Sequence, residues 1–477
     1  MMYKSLLSFV PPILLGYLIV DFIWQTANKR QAVLKLFLGL GIGLGATSLL
    51  LFVWLWLTNQ LNGFAWLLAG IIVGGILIKI YRSMKQPFGF RFPGIRLAPN
   101  WLSILLSIAF IITLILSYNS FISYSLTHQH GDRDAQAIWN LHARIIYRDP
   151  ANWKTVFSPE FDSRFHPDYP LLTPLDVVWG WNLLNSETTR VPIVLAGLFA
   201  FGMVGLLFMS LNSLKTWGQA ALASLVLMGT PYFILLGTFQ TADVPFAYFV
   251  LSTIVLFAFY FVEKKPGLLI LAGLSTGLSA WTKNEGILFI VSAMTGCAIY
   301  GLMQKQLWKT LRLFWLGLSV PALIILSYKV TLAPSNDLFA NFNAAVFIGK
   351  LLSLQRYETI FTAIGTTLLK FGDWPLSILI ALAIFLAIIG FRTENSIWKE
   401  MRVGAAILAI QLIGYIFVYV ITPLPLEFHL QYSLDRLLFQ LFPSALFLFF
   451  WAASAPEDII RYIAPVSQIR DQNAADN

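Results

Sequence analysis

Charge is scarce in this chain. Of 477 residues only 12% are Asp, Glu, Lys or Arg, while 58% are hydrophobic, and mean hydropathy is +0.73. That balance excludes an ordinary soluble globular protein, about a quarter of which is charged. Cysteine is scarcer still. Cys297 stands alone inside an apolar run, which excludes an intrachain disulfide and a cysteine-built zinc cluster. Alternating strands of the kind that build outer-membrane barrels are missing, as is a glycine-rich nucleotide loop set between a strand and a helix. The formal charge of +9 is spread over short links, so it reads as membrane topology rather than as a nucleic-acid surface. No small-residue cleavage pattern follows the first apolar run, 6–24; that run is expected to be a membrane helix, not a removable leader.

Long apolar runs fill the space that charge leaves. A bilayer crossing needs about 20 such residues, and thirteen runs qualify, at 5–24, 34–57, 63–80, 101–120, 191–211, 218–238, 244–262, 267–282, 286–304, 311–332, 373–391, 403–421 and 437–454. The expected fold is all-α, a polytopic transmembrane helical protein of about 13 spans. Residues 1–98 would hold the first helices and a basic cytoplasmic loop, 99–455 a membrane-embedded catalytic body, and 456–477 a cytoplasmic tail. Glycines at 39, 41, 43 and 45, and at 273 and 277, fall inside the runs at spacings that let helices approach closely. No internal repeat is evident.

Lysine and arginine orient the spans. Lys29, Arg30, Lys79, Arg82, Lys85, Arg91, Arg96, Lys215, Lys264, Lys265, Lys305, Lys309, Arg312, Arg392, Lys399 and Arg402 all fall in links on one side, which should be cytoplasmic. The other side receives the loop 121–190, the links at 241–243 and 283–285, and the loops 333–372 and 422–436. All five histidines, at 128, 130, 142, 166 and 429, fall there too. The assignment used neither acids nor histidines, so their segregation independently suggests one polar site beyond one face of the membrane.

Several residues on that face could do chemistry. Asp134 precedes a helical stripe of Ile138, Leu141 and Ile145, with Trp139 and Tyr147 suited to a membrane interface. A helix over 135–148 lying on the outer surface is therefore expected. Asp134 could simply be its N-cap or could act as a base; Asp132 competes for the same part. The stiff turn at 165–170 puts His166 and Asp168 either in a polar site or merely between two helices. Asp243, just before an apolar span and two residues before Pro245, is again an N-cap or an ionisable group facing a site. Two acids on one face could share a metal or divide acid–base work. Lys283 and Glu285 interrupt two apolar runs, and Lys283 could snorkel or meet a phosphate. Arg436 could pair with Asp435 or grip phosphate through two N–H groups.

Together the segments DAQAIWNLHARIIY (134–147), HPDYPLL (166–172), TADVPFAYF (241–249), AWTKNEG (280–286) and SLDRLLFQLFP (433–443) resemble the GT-C superfamily of membrane glycosyltransferases. They are most similar to bacterial relatives of the dolichyl-phosphate-mannose protein mannosyltransferases and of the lipid A aminoarabinose transferases. The resemblance covers roughly residues 100–450 and leaves the first three spans without a counterpart. It implies an inverting transferase that moves a sugar from a polyprenyl-phosphate donor to a hydroxyl of a lipid, glycan or protein acceptor. The reaction would occur on the non-cytoplasmic face of a bacterial inner membrane. It implies Asp134 as catalytic base, Asp243 as a second acid that organises metal or donor, Lys283 beside the lipid phosphate and Arg436 as a late basic residue. Where the family often has tryptophans around its aspartate, this chain has Arg133 and Gln136. A divalent cation is the one cofactor expected, with Asp243, His166 and His429 as candidate ligands; no nucleic acid partner is expected. The rival function is a transporter or flippase for a lipid-linked sugar, which would carry its charges near the bilayer midplane.

Overall fold

In the membrane interior no water is available to a backbone amide, so every N–H and C=O must bond within its own segment, and apolar runs become helices. The computed structural model describes residues 2–26, 28–84, 101–158, 160–161, 165–336, 343–391 and 395–457. The basic loop expected to close at residue 98 lies largely outside them, as does nearly all of the tail. Among the described residues the chain is helical, with a single isolated bridge between Phe391 and Ala453. In order, the helices are α1 (Met2–Ile23), α2 (Lys29–Thr58), α3 (Phe64–Met84), α4 (Trp101–Thr127), α5 (Asn140–Arg148), α6 (Leu172–Leu184), α7 (Arg190–Leu214), α8 (Trp217–Met228), α9 (Pro231–Thr238), α10 (Asp243–Glu263), α11 (Pro266–Thr282), α12 (Glu285–Met303), α13 (Leu307–Thr331), α14 (Ala344–Leu352), α15 (Leu354–Lys370), α16 (Ile378–Ile389), α17 (Asn395–Ile421) and α18 (Leu426–Ala452).

Ten of these among the described residues are long and apolar enough to cross a membrane, or twelve if each bent pair is one span. The expected count of about thirteen exceeds the twelve by the one short apolar helix, Pro266–Thr282. The run 267–282 is α11, only 17 residues long and buried on nearly every side. The run 373–391 holds α16, whose 12 residues are too few to cross alone; the stretch before it meets it at 81°. The other bent pair, α8 and α9, turns through 64° at Pro231, which ends the preceding helix and starts the next.

α10 is the axis of the molecule. It is buried along its whole length, except for its last two residues, and packs against α7, α11 and α18. Its 21 residues hold Asp243 and Glu263 about 30 Å apart at 1.5 Å per residue. The Glu263 end gathers Trp24, whose Nε1 donates to Glu263 at 3.1 Å, and Lys265, whose Nζ reaches Gln25 O at 3.0 Å. Lys35 and Lys79 share Asp21 there, at 2.7 and 2.9 Å. The Asp243 end gathers the polar cluster described below.

The first helices are part of this body. α2 packs against α7 and α11 as well as α1. Glycine sets the spacing: a Cβ on Gly43 would lie 1.9 Å from Pro12 O, so only a bare Cα lets α1 and α2 come this close.

The helix expected to lie on the outer surface over 135–148 is set deeper. It opens as a π-helical turn, Ala135–Trp139, a form that recurs at functional sites, and continues as α5. Ile138, Trp139, Asn140, His142, Ala143 and Ile146 are buried. Trp139 therefore packs inside the protein instead of anchoring at the membrane interface.

Candidate active site

Two loops far apart in sequence are tied together first. Asp132 N–H donates to Phe239 O at 3.2 Å, Gln240 Nε2 to Gln129 O at 3.2 Å, and Asn140 Nδ2 to Gln240 Oε1 at 2.9 Å. Gly131 turns the chain with φ +71°, against a Phe239 carbonyl too close for any side chain. The stitching places Asp134 beside the start of α10.

Asp134 stands at the N-cap position but its side chain makes no capping bond, and Asp243 lies one residue past the cap of α10. Asp243 is fully buried, and both its oxygens are engaged. Oδ1 accepts from Lys283 Nζ at 2.9 Å and from Gln440 Nε2 at 2.8 Å. Oδ2 accepts from Arg436 Nε at 2.9 Å and from Thr241 Oγ1 at 3.1 Å. Gln440 is aimed by the Tyr415 hydroxyl, 2.6 Å from its Oε1. Arg436 then turns its Nη1 to Asp134 Oδ2, so one guanidinium bridges both acids. Lys283 also meets Glu285 Oε1 at 2.8 Å. Burial alone would depress the Lys283 pKa, but Asp243 and Glu285 outweigh it and raise the pKa above the ordinary lysine value.

Exposure is graded across the cluster. Side-chain accessibility runs from 0% at Asp243 and 6% at Lys283 to 22% at Glu285, 25% at Arg436 and 31% at Asp134. Only Oδ2 of Asp134 takes the guanidinium, and Oδ1 has no partner among the described residues. A reactant arriving from outside meets Asp134 first.

The turn at 165–170 forms one wall. Tyr169 stacks between Trp139, at 5.5 Å between ring centroids, and His166, at 4.5 Å. Tyr328 donates to Tyr169 O at 2.7 Å. Burial, then Glu285 and Asp168, hold the Tyr169 phenol well above its ordinary pKa, so it stays a hydrogen-bond donor. Asp168 does not face the acids. Its carboxylate accepts from Asn284 Nδ2 at 2.7 Å and from Asn336 Nδ2 at 3.0 Å, which bolts the turn to the link before α12.

The expected metal ligands do not assemble. Asp243 would have to release two cations to bind another, His166 is stacked on Tyr169, and His429 bonds the Thr422 hydroxyl at 2.9 Å. Among the described residues no three His, Cys, Asp or Glu groups gather to hold a metal. The donor set, already filled by Lys283 and Arg436, does not fit a divalent ion. Arg436 is likewise held by Asp134 and Asp243 rather than by Asp435.

Gln440, Asn284, Tyr169 and Lys329 escaped the sequence reading. Gln440 had a signal, since it follows Arg436 by four residues and so shares its helix face. Asn284 and Tyr169 sit inside the motifs already noted and Lys329 near the end of the apolar run 311–332, but nothing in their spacing says where they point.

The family model for dolichyl-phosphate-mannose-protein mannosyltransferase matches residues 177–330, about a third of the chain. No curated protein and no solved structure matches it. The matched stretch contains Asp243, Lys283 and Glu285, whereas Asp134 and Arg436 lie outside it. With the apolar helices, the match indicates an integral membrane glycosyltransferase of the GT-C type.

Proposed function

We propose that this chain transfers a sugar from a polyprenyl-phosphate donor to an acceptor hydroxyl on the non-cytoplasmic face of a bacterial inner membrane, with inversion at the anomeric carbon. Asp134 is the base. Its Oδ1 takes the hydroxyl proton while the acceptor oxygen bonds to the anomeric carbon, and the carbon–oxygen bond to phosphate breaks with its electron pair leaving on the phosphate. Such a base works within about 3 Å of its proton. Phosphate is already a good leaving group, so no acid need protonate it. The transition state is oxocarbenium-like, as in glycoside hydrolysis, and the Tyr169 phenol donates to the sugar.

The observation that carries this reading is the Arg436 bridge. It fixes the Asp134 carboxylate through one oxygen and leaves the other without a partner among the described residues, while Asp243, itself held by Lys283 and Gln440, holds the guanidinium from behind. A base whose rotamer is locked by a charged neighbour is pre-positioned for its proton. Anionic charge grows on the departing phosphate oxygen as its bond to the anomeric carbon breaks, and Lys283 and Arg436 supply positive charge to the site for it.

The test is incubation of purified protein in lipid nanodiscs with a panel of polyprenyl-phosphate sugars and lipid or glycan acceptors. Release of polyprenyl phosphate, coupled to product formation, is the expected result. Movement of an intact lipid-linked sugar across a vesicle, with no bond broken, would favour the transporter instead.

A further inference from the structure

Every cation in the Asp134–Asp243 cluster already has a carboxylate. Lys283 faces Asp243 and Glu285, and Arg436 faces Asp134 and Asp243. An incoming phosphate would have to compete with those acids for either of them. Lys329, in the last turn of α13, differs. Its Nζ donates to Asp168 O at 2.6 Å and to Asn284 Oδ1 at 2.7 Å. Both acceptors are uncharged, and among the described residues no carboxylate lies within salt-bridge distance. The nearby Asp168 carboxylate is turned to the amides of Asn284 and Asn336 instead.

We infer that Lys329 is the docking point for the anionic phosphate of the donor lipid, a role that rests on the transferase reading above. An ammonium carries three N–H donors, and two of them are spoken for. The third remains for a ligand, and the charge is met only through space by the Asp168 carboxylate and by the Tyr328 ring 5.4 Å away. A lysine is a point charge that suits a phosphate. Two plainer roles fit less well. A snorkelling lysine sends its ammonium into water, whereas this one is pinned inward to the 165–170 turn and the link before α12. A lysine serving its own helix dipole bonds that helix's last carbonyls, whereas both acceptors here belong to other segments. Asn284 stands between Lys283 and Glu285 in sequence, so it couples Lys329 to the reacting cluster. The lipid phosphate is thereby held at one edge of the site, with the sugar directed toward Asp134.

The experiment measures binding of polyprenyl phosphate to purified protein, so it does not depend on turnover. Uncharged polyprenol and inorganic phosphate serve as separate arms. The lipid phosphate should bind at least tenfold more tightly than polyprenol. Lys329→Gln, which keeps a hydrogen-bond donor but loses the charge, should erase most of that difference, and Lys329→Arg should restore it to within about threefold. As a check needing no variant, lysine-selective acylation of the wild-type protein should be slowed at Lys329 by polyprenyl phosphate and not by polyprenol. Inorganic phosphate giving the same protection would assign the site to free phosphate and overturn the lipid assignment. Unchanged binding by Lys329→Gln, or unchanged acylation, would overturn the role of Lys329 while leaving the donor class intact. Failure of the wild-type protein to prefer polyprenyl phosphate over polyprenol would overturn both.

Discussion

At Asp243 four neighbouring side chains donate to two carboxylate oxygens, and no lone pair points at open space. That makes it an anchor for cations rather than a base. Breaking a buried ion pair from one side leaves the partner charge uncompensated and costs about 3–5 kcal/mol. Asp243→Asn leaves Lys283 with Glu285 and Arg436 with Asp134 as their remaining partners, so the loss should fall near the lower end. A clear drop in thermal unfolding temperature in detergent is expected; unchanged stability would show that water enters the cluster. The sequence pointed to Asp134, Asp243, Lys283, Glu285 and Arg436 because charge in an apolar chain is conspicuous. It could not say that Arg436 would face acids before any phosphate, nor that Asp168 would turn away, because pairing between residues 302 apart leaves no trace in local spacing. Histidines misled for the opposite reason. They are chemically versatile wherever they stand, yet His142 bonds Phe165 O at 3.1 Å and His429 a threonine.

Helices were legible where apolar length decides them and less so where chain direction changes. α10 places Asp243 as its boundary suggested, since an apolar run must start near the membrane surface, whereas α18 starts at Leu426, so that Arg436 lies inside a helix and not in the loop expected over 422–436. The bends at 231 and near 374 were not visible as bends, because proline and glycine also occur inside straight spans. The π-turn after Asp134 was hidden too, as one extra residue in a helical turn does not alter the hydrophobic stripe by much. The stitch between the 128–136 and 239–242 segments is the element-scale device that sets the two acids side by side. Gly131→Val tests it: the new Cβ would lie 2.6 Å from Phe239 O at a φ of +71°, a conformation that β-branched residues avoid. Transfer should fall at least tenfold with the helical content unchanged by circular dichroism. Full activity would mean that the stitch does not position Asp134.

Across the whole molecule, one long buried helix separates two kinds of polar ends. Around Glu263 lie Lys265, Lys79, Lys35 and Asp21; around Asp243 lie the acids, the bridging arginine and the stacked Tyr169. A transporter of charged lipid heads needs its ionisable groups at mid-depth, and here they stand at the start of α10 instead. The family match over 177–330 covers the helices that carry this core, including Lys329, while the residues at 134 and 436 complete the cluster from outside it. The central claim is that the free oxygen of Asp134 removes the acceptor proton. The most direct measurement compares wild-type and Asp134→Asn protein, matched for expression and lipid-phosphate binding, in release of polyprenyl phosphate from the sugar donor that the wild type uses. General-base catalysis contributes about 10²–10⁴-fold, so a loss of at least a hundredfold with donor binding intact is predicted, and the wild-type product should carry the inverted anomeric configuration. Turnover by the asparagine variant within a few-fold of wild type, or a product with retained configuration, would contradict the account.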